Sequence, residues 1–276
     1  MFREVKLNNI NVKPIVSATF EPKKVRFGNV FSNPYNCTLL VAKRASGKTS
    51  CLNTILQKQG SKKTTYFIFC PTTHTDATWQ SILESLKERG SDVNVFDSIY
   101  DGKTNIVETI INELTAGDEK EEKKGDEPKP APNSKINFGD EEMTEDGKIK
   151  VYKEKKLAPK IIFVFDDCAE LIKNPQISRL CKLGRHLKAS IYISVQYPND
   201  IPPMIWKNCD YMLCFRSFSE DKLEHVHKHT DLSMPFETFK AVYEYVHSEG
   251  KYNFLFCDVR NQLFRKNFNR EVKMLE

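Results

Sequence analysis

Residues 41–50 read VAKRASGKTS, and the parsing of the whole chain turns on them. A short apolar run, CTLLVA (37–42), precedes the stretch, and an amphipathic run, TSCLNTILQKQ (49–59), follows it. A strand, a polar Gly-containing turn and a helix in that order are the setting of a phosphate loop, G-x-x-x-x-G-K-[ST]. Ala42 stands where the first Gly is usual. Lys43, Arg44, Ala45 and Ser46 span the loop, Gly47, Lys48 and Thr49 complete it, and Ser50 follows. The residue types suit the chemistry. Backbone N–H groups at a helix N-terminus cradle phosphate oxygens. Gly47 can take a backbone shape closed to most residues. Lys48 reaches toward β- and γ-phosphates, and Thr49 offers a hydroxyl to Mg²⁺. The competing reading of the same residues is a Lys-rich surface turn.

A phosphate loop of this kind works with a second strand that ends in an acid. KIIFVFDD (160–167) supplies an apolar run that ends in Asp166 and Asp167. Asp166 at the strand tip is placed to anchor Mg²⁺, and Asp167 to orient and deprotonate an attacking water. SIYISVQ (190–196) ends in Gln196, whose amide can contact a γ-phosphate or that water. TTYFIFC (64–70) lies in sequence between the loop strand and the acidic strand, an order that fits ATPases with an additional strand between those two in the sheet.

The remaining pattern alternates apolar strands with amphipathic helices, which predicts an α/β fold: a mostly parallel central sheet with helices on both faces. Strands are expected at 93–96, 210–215 and 252–259, with a further one around QLFRK. Helices are expected at 104–117, 175–188, 219–229 and 235–247, and on one face of HTDATWQSILESLKERG, where Trp79, Ile82, Leu83 and Leu86 fall together. Residues 1–36 read as an extension of loops and strands, 37–258 as the core domain and 259–276 as a basic C-terminal tail. Within the core, residues at about 118–158 read as a charged, disordered insertion, because 118–156 holds twelve acids and ten bases with Pro and few apolar residues.

Composition narrows the class. The 276 residues are 39% hydrophobic and 29% charged, which excludes a mostly disordered chain, a collagen and a coiled-coil rod. No apolar run approaches the roughly 20 residues of a membrane span, and MFREVKLNNI lacks the core of a secretory signal. The net charge of +5 sits on the body rather than on the insertion and is compatible with nucleic acid. Eight cysteines without a C-x-x-C pair, mostly inside apolar runs, read as small buried hydrophobes in a reducing compartment.

Taken together, AKRASGKT, IIFVFDD and CKLGRHLKASIYISVQYP resemble the FtsK–HerA superfamily of DNA-pumping ATPases. Within it they most resemble the genome-packaging ATPases of poxvirus-like viruses and virophages. The resemblance spans about residues 28–216 without the insertion. It implies a RecA-like core, ATP and Mg²⁺ as cofactors, and a homo-oligomeric ring, pentamer or hexamer. It also implies non-sequence-specific translocation of double-stranded DNA, a capsid or vertex protein as partner, and a location in the virion or at the viral assembly site. Carried onto this chain, Lys48 and Thr49 bind phosphate and Mg²⁺, Asp166 is the metal acid, Asp167 the catalytic acid and Gln196 the sensor. Arg185, after Gly184, matches an Arg that acts on a neighbouring subunit's nucleotide, with Arg179 a second candidate. The chain departs from the pattern at Ala42, at Asp167 where many relatives have Glu, and at Tyr197–Pro198 where cellular pumps often have Arg-Pro. Two other classes remain open: another P-loop ATPase, helicase or clamp-loader-like, and a nucleotide-binding assembly protein with little turnover.

Two weaker signals stand apart. His225, His227 and His229 alternate, which on a strand would make a metal-ligating face and on a helix would not. Arg260, Arg265, Lys266, Arg270 and Lys273 interleave with Phe264 and Phe268, a pattern open to DNA phosphate, to a neighbouring subunit or to an ordinary tail.

Overall fold

The apolar run before the loop forms β1 (Cys37–Val41), buried at every position. Burial of both strand faces requires layers on both sides, and the neighbours supply them. The computed structural model describes residues 21–123, 156–216 and 218–273. After β1 come α1 (Lys48–Gln59), β2 (Thr65–Phe69), α2 (Ala77–Glu88), β3 (Asp92–Phe96), a small hairpin of β4 (Tyr100–Asp101) and β5 (Thr104–Asn105), and α3 (Ile106–Lys123). Then follow β6 (Ile161–Asp166), α4 (Pro175–Leu183), β7 (Ala189–Val195), α5 (Pro203–Trp206), β8 (Tyr211–Phe215), α6 (Glu220–His229), α7 (Phe236–His247), β9 (Phe254–Asp258), β10 (Leu263–Lys266) and β11 (Arg270–Val272).

Nine strands make one sheet in the order β11-β10-β9-β8-β1-β7-β6-β2-β3. The six strands from β8 to β3 are parallel, and β9, β10 and β11 add an antiparallel edge. The expected additional strand is present between β1 and β6, and it is β7, the strand that leads to Gln196. TTYFIFC forms β2 on the far side of β6, so its place between them in sequence is not its place in the sheet.

Side chains alternate between the two faces along each strand. Leu39 and Val41 join one core with residues of α3, α4, α5, α6 and α7. Leu40 and Ala42 join the other with α1, α2, Val30 and Phe31. Fully burying an aliphatic or aromatic side chain contributes about 1.5–3 kcal/mol, so both layers are needed for stability. Helix starts are set locally. The Asp76 carboxylate accepts the Thr78 N–H at 2.7 Å to cap α2, and Asn174 accepts the Gln176 N–H at 2.9 Å to cap α4 ahead of Pro175.

Several boundaries differ from expectation. α3 continues to Lys123, past the expected stop at 117, because Glu and Lys are good helix formers even where no apolar face requires a helix. Leu157 forms a parallel bridge with Val25, which brings the end of the expected insertion onto the N-terminal segment. Residues 124–155 of that insertion and 1–20 of the extension lie outside the described residues. Part of the expected basic tail forms β10 and β11. There Phe264 is buried, and Phe268 packs edge-on against Phe27 and Phe254. α4 stops at Leu183 rather than 188, and Gly184 follows in a tight spot: a Cβ there would lie 3.0 Å from Ile191 Cδ1. Among the described residues no helix is long and apolar enough to cross a membrane.

Candidate functional site

Strand register assembles the site. Val41 pairs with Val195, and Asp166 pairs with Ser194, so the parallel strands β1, β7 and β6 end at one level. The residues that follow each strand, the phosphate loop, Gln196 and Asp167, therefore lie together beyond the C-terminal ends of these central strands.

Ala42 explains its own departure from the motif. It is fully buried in the core, its N–H donates to Val195 O at 3.0 Å, and its φ is not positive. No Gly is required there. The left-handed backbone falls instead on Ala45 (φ 58°) and Gly47 (φ 91°). At Ala45 that shape costs about 1–2 kcal/mol. The Ser46 hydroxyl donates to Lys43 O at 2.7 Å and closes the loop on itself. Lys43, Arg44 and Ser50 are exposed, and Gly47 caps α1.

Lys48, the first residue of α1, is buried and lies between two carboxylates. Its ammonium is 3.2 Å from Asp166 Oδ1 and donates a short hydrogen bond to Asp167 Oδ1. The Gln196 amide donates to the same Asp167 oxygen at 3.2 Å. Asp167 takes φ 53° directly after β6, and this left-handed turn carries its carboxylate toward Lys48. Asp166 is anchored from the other side: the indole N–H of buried Trp79 donates to Oδ2 at 2.9 Å. Four of the expected residues, Lys48, Asp166, Asp167 and Gln196, thus form one cluster.

Their electrostatics follow from the contacts. Burial pushes the Asp167 carboxyl up, but the Lys48 hydrogen bond and charge, helped by Gln196 and Arg44, hold it below its usual range. Burial opposes the charge on Lys48, while Asp166 and Asp167 outweigh it and raise its pKa. Both groups are ionised at neutral pH. The donor set fits Mg²⁺, which takes hard oxygens and shares them with phosphates. Asp166 Oδ1 is buried and receives no directed hydrogen bond, and Thr49 opens the first turn of α1 beside Lys48.

Arg185 lies elsewhere. It donates to Asp210 Oδ1 at 2.7 Å, and the same buried carboxylate accepts Arg260 Nε at 2.9 Å and the Cys37 N–H at 2.9 Å. Cys37 opens β1 and Asp210 precedes β8, so Arg185 sits at the opposite end of the strands from the phosphate loop. A five-residue strand spans about 17 Å, and Arg185 cannot reach its own chain's loop. It lines a cavity of about 570 Å³ with Lys182, Lys207, Asp210 and Arg260. Arg179 lies on α4, where it reaches Asn112 of α3 at 3.4 Å.

The weaker signals resolve in the fold. α6 is helical, so His225 and His229 stack at 4.1 Å beside Trp206, while His227 meets Met234 O at 2.8 Å. Among the described residues no group of three or more His, Cys, Asp or Glu is arranged to hold a metal ion. All eight cysteines are buried and free. Arg260, Arg265, Lys266 and Lys273 contact Asp210, Asn29 O, Glu249 and Glu271 of the same chain. Sequence reasoning assigned no role to three residues: Trp79 beside Asp166, Asp210 beneath Arg185, and Tyr252, whose ring lies against Gly47. Trp79 alone left a trace, as the large polar-tipped residue on an apolar helix face.

No family model matches the chain. Over 104 residues it is 34% identical to the uncharacterized protein 075L of Invertebrate iridescent virus 6, a match that covers 36% of this chain and 40% of that protein. The chain thus spans about two fifths of the length of that curated relative. Among solved structures, it is similar to the genome packaging NTPase B204 from Sulfolobus turreted icosahedral virus 2 in complex with AMP. That match has a TM-score of 0.52 and 16% identity over 88% of this chain and 100% of that one. It is also similar to the cytoplasmic domain of the Thermomonospora curvata type VII secretion ATPase EccC, with a TM-score of 0.51 and 14% identity over 87% of this chain and 26% of that one. The resemblance read from the sequence is met at the level of fold: the chain has the P-loop NTPase fold that these packaging and secretion ATPases share.

Proposed function

We propose that this chain is an ATPase of the FtsK–HerA type that couples ATP hydrolysis to translocation of double-stranded DNA into a viral capsid. The observation that carries the reading is the cluster of Lys48, Asp166, Asp167 and Gln196 beside the phosphate loop. The packaging step draws its support from the resemblance of the three motifs and from the likeness to a viral packaging NTPase.

The cluster suggests an order of events. Without nucleotide, Lys48 pairs with both Asp166 and Asp167. When triphosphate enters, the loop N–H groups and Lys48 take its oxygens, and Lys48 exchanges carboxylates for phosphates. Asp167 then loses the partner that holds its pKa down and becomes a stronger base. It accepts a proton as a water oxygen, oriented by Gln196, attacks the γ-phosphorus and the bond to the β–γ bridging oxygen breaks, giving ADP and phosphate. Thr49 and Asp166 would hold Mg²⁺, which would supply charge neutralisation of the phosphates. In this reading Arg185, which is too far from its own loop to act there, serves a neighbour's site in a homo-oligomeric ring. DNA is held through backbone phosphate, so binding is salt-sensitive and independent of sequence.

The test is ATP turnover with and without linear duplex DNA, for the wild type, Lys48→Ala and Arg185→Ala. The expected result is DNA-stimulated turnover that each variant loses and that mixing the two variants partly restores. Nucleotide binding with no turnover under any DNA condition would sink the self-sufficient motor.

A further inference from the structure

The order of the sheet gives a bound nucleotide a direction. Asp167 and Gln196, the groups suited to a γ-phosphate, follow β6 and β7 on one side of β1. A triphosphate laid over the start of α1 with its terminal phosphate on that side must send its ribose and base toward the other side, over β8 and β9. The turn that enters β9 lies there, because Phe254 pairs with Phe215 at the end of β8.

That turn carries Tyr252. The ring Cδ1 lies 3.4 Å, and its Cβ 3.9 Å, from the point where a side chain on Gly47 would begin. Tyr252 is 62% exposed, so core packing does not account for its placement. Its placement comes from the turn, which is tied down on both sides. Glu249 accepts the Lys266 ammonium at 3.0 Å and, through its backbone carbonyl, the Asn253 amide. Asn253 Oδ1 accepts the Asn267 amide at 3.0 Å, and Asn267 Oδ1 accepts the Phe254 N–H at 3.1 Å. Gly250, at φ 79°, allows the reversal. Lys251 places its ammonium 5.4 Å from the ring centroid.

We propose that Tyr252 is the platform of a nucleobase subsite, on which the base of a bound purine nucleoside triphosphate stacks, with Lys251 adding positive charge beside it. The subsite rests on the nucleotide reading above. Stacking uses the π-face, which every base has, so the platform favours nucleotides over inorganic polyphosphate without choosing between adenine and guanine.

Calorimetric titration of ATP, GTP and inorganic tripolyphosphate into the wild type, Tyr252→Ala and Tyr252→Phe tests the assignment. The expected result is about 5- to 100-fold weaker ATP and GTP binding in Tyr252→Ala, from the usual worth of one base–aromatic stack. Tripolyphosphate affinity stays unchanged, and Tyr252→Phe binds ATP like the wild type. Equal loss of ATP and tripolyphosphate in Tyr252→Ala would mean that the ring only supports the phosphate loop, and would overturn the subsite. Unchanged ATP affinity in Tyr252→Ala would overturn it too, while leaving the nucleotide reading intact. A wild type that binds neither ATP nor tripolyphosphate would bring down both.

Discussion

Replacing Lys48 with Met should destabilise the nucleotide-free protein, and the size of the loss should depend on pH. The substitution removes the cation between Asp166, 2% exposed, and Asp167, whose side chain is 28% exposed. Breaking a buried pair by removing one partner costs about 3–5 kcal/mol. Water screens part of the Asp167 share, so the expected loss is near the low end, about 3 kcal/mol. For a chain of this size each kcal/mol shifts Tm by about 2–4 °C, which gives a fall of about 6–12 °C at pH 7.5. The pH dependence has a definite sign. In the wild type the folded-state pKa of Asp167 is depressed, so its contribution is present above the ordinary carboxylate pKa and is lost as pH falls through the depressed value. Lys48 is raised, so its contribution holds at all lower pH and is lost only as pH rises through the raised value. In the variant, burial and the neighbouring carboxylate act on Asp167 without the cation, and acidification relieves the repulsion by protonation. The gap between the two proteins should therefore be widest at neutral pH and shrink toward pH 4.5. Circular-dichroism melts at pH 7.5, 6.0 and 4.5 without nucleotide measure it, and Lys48→Met/Asp167→Asn should recover part of the loss at pH 7.5. A variant that melts within 2 °C of the wild type at pH 7.5, or a gap constant across this range, would refute the electrostatic account of the cluster.

Trp79→Phe removes the only donor to Asp166 Oδ2 among the described residues and leaves a buried carboxylate oxygen unpaired, so unfolding in urea should show a loss of about 1.5–3 kcal/mol. Gly60→Ala places a Cβ about 1.7 Å from the Tyr66 hydroxyl, which also donates to Leu56 O. The overpacking should cost about 1–3 kcal/mol, measured as a lower Tm. Asp167→Asn should lower single-turnover hydrolysis by about 10²–10⁴-fold while equilibrium binding of ATP persists, since the amide keeps the shape and loses the base.

Much of the site was legible because its chemistry is local. The spacing of Gly47, Lys48 and Thr49 lies within one loop and one helical turn, and Asp166 and Asp167 mark the end of a run apolar enough to be a buried strand. Ala42 shows the limit of a motif. The pattern has Gly there, yet the strain sits on Ala45 and Gly47, because backbone dihedrals depend on how the loop closes. Trp79, Asp210 and Tyr252 were not legible as functional neighbours. They stand 87, 25 and 205 residues in sequence from Asp166, Arg185 and Gly47 respectively, and only packing brings each pair together.

The alternating apolar and amphipathic segments determined, without any coordinates, that the chain builds a mostly parallel sheet covered on both faces. The reason is that strands apolar throughout can be satisfied only by burial on both sides. The same residues named the phosphate loop and its acids. The tertiary structure decided which strand lies between β1 and β6, and hence that Gln196 meets Asp167. It placed Arg185 at the far end of the sheet, joined the expected tail to the sheet as β10 and β11, and set Tyr252 against Gly47. These are matters of strand order and register, and strand order arises from long-range packing that no local window of sequence contains.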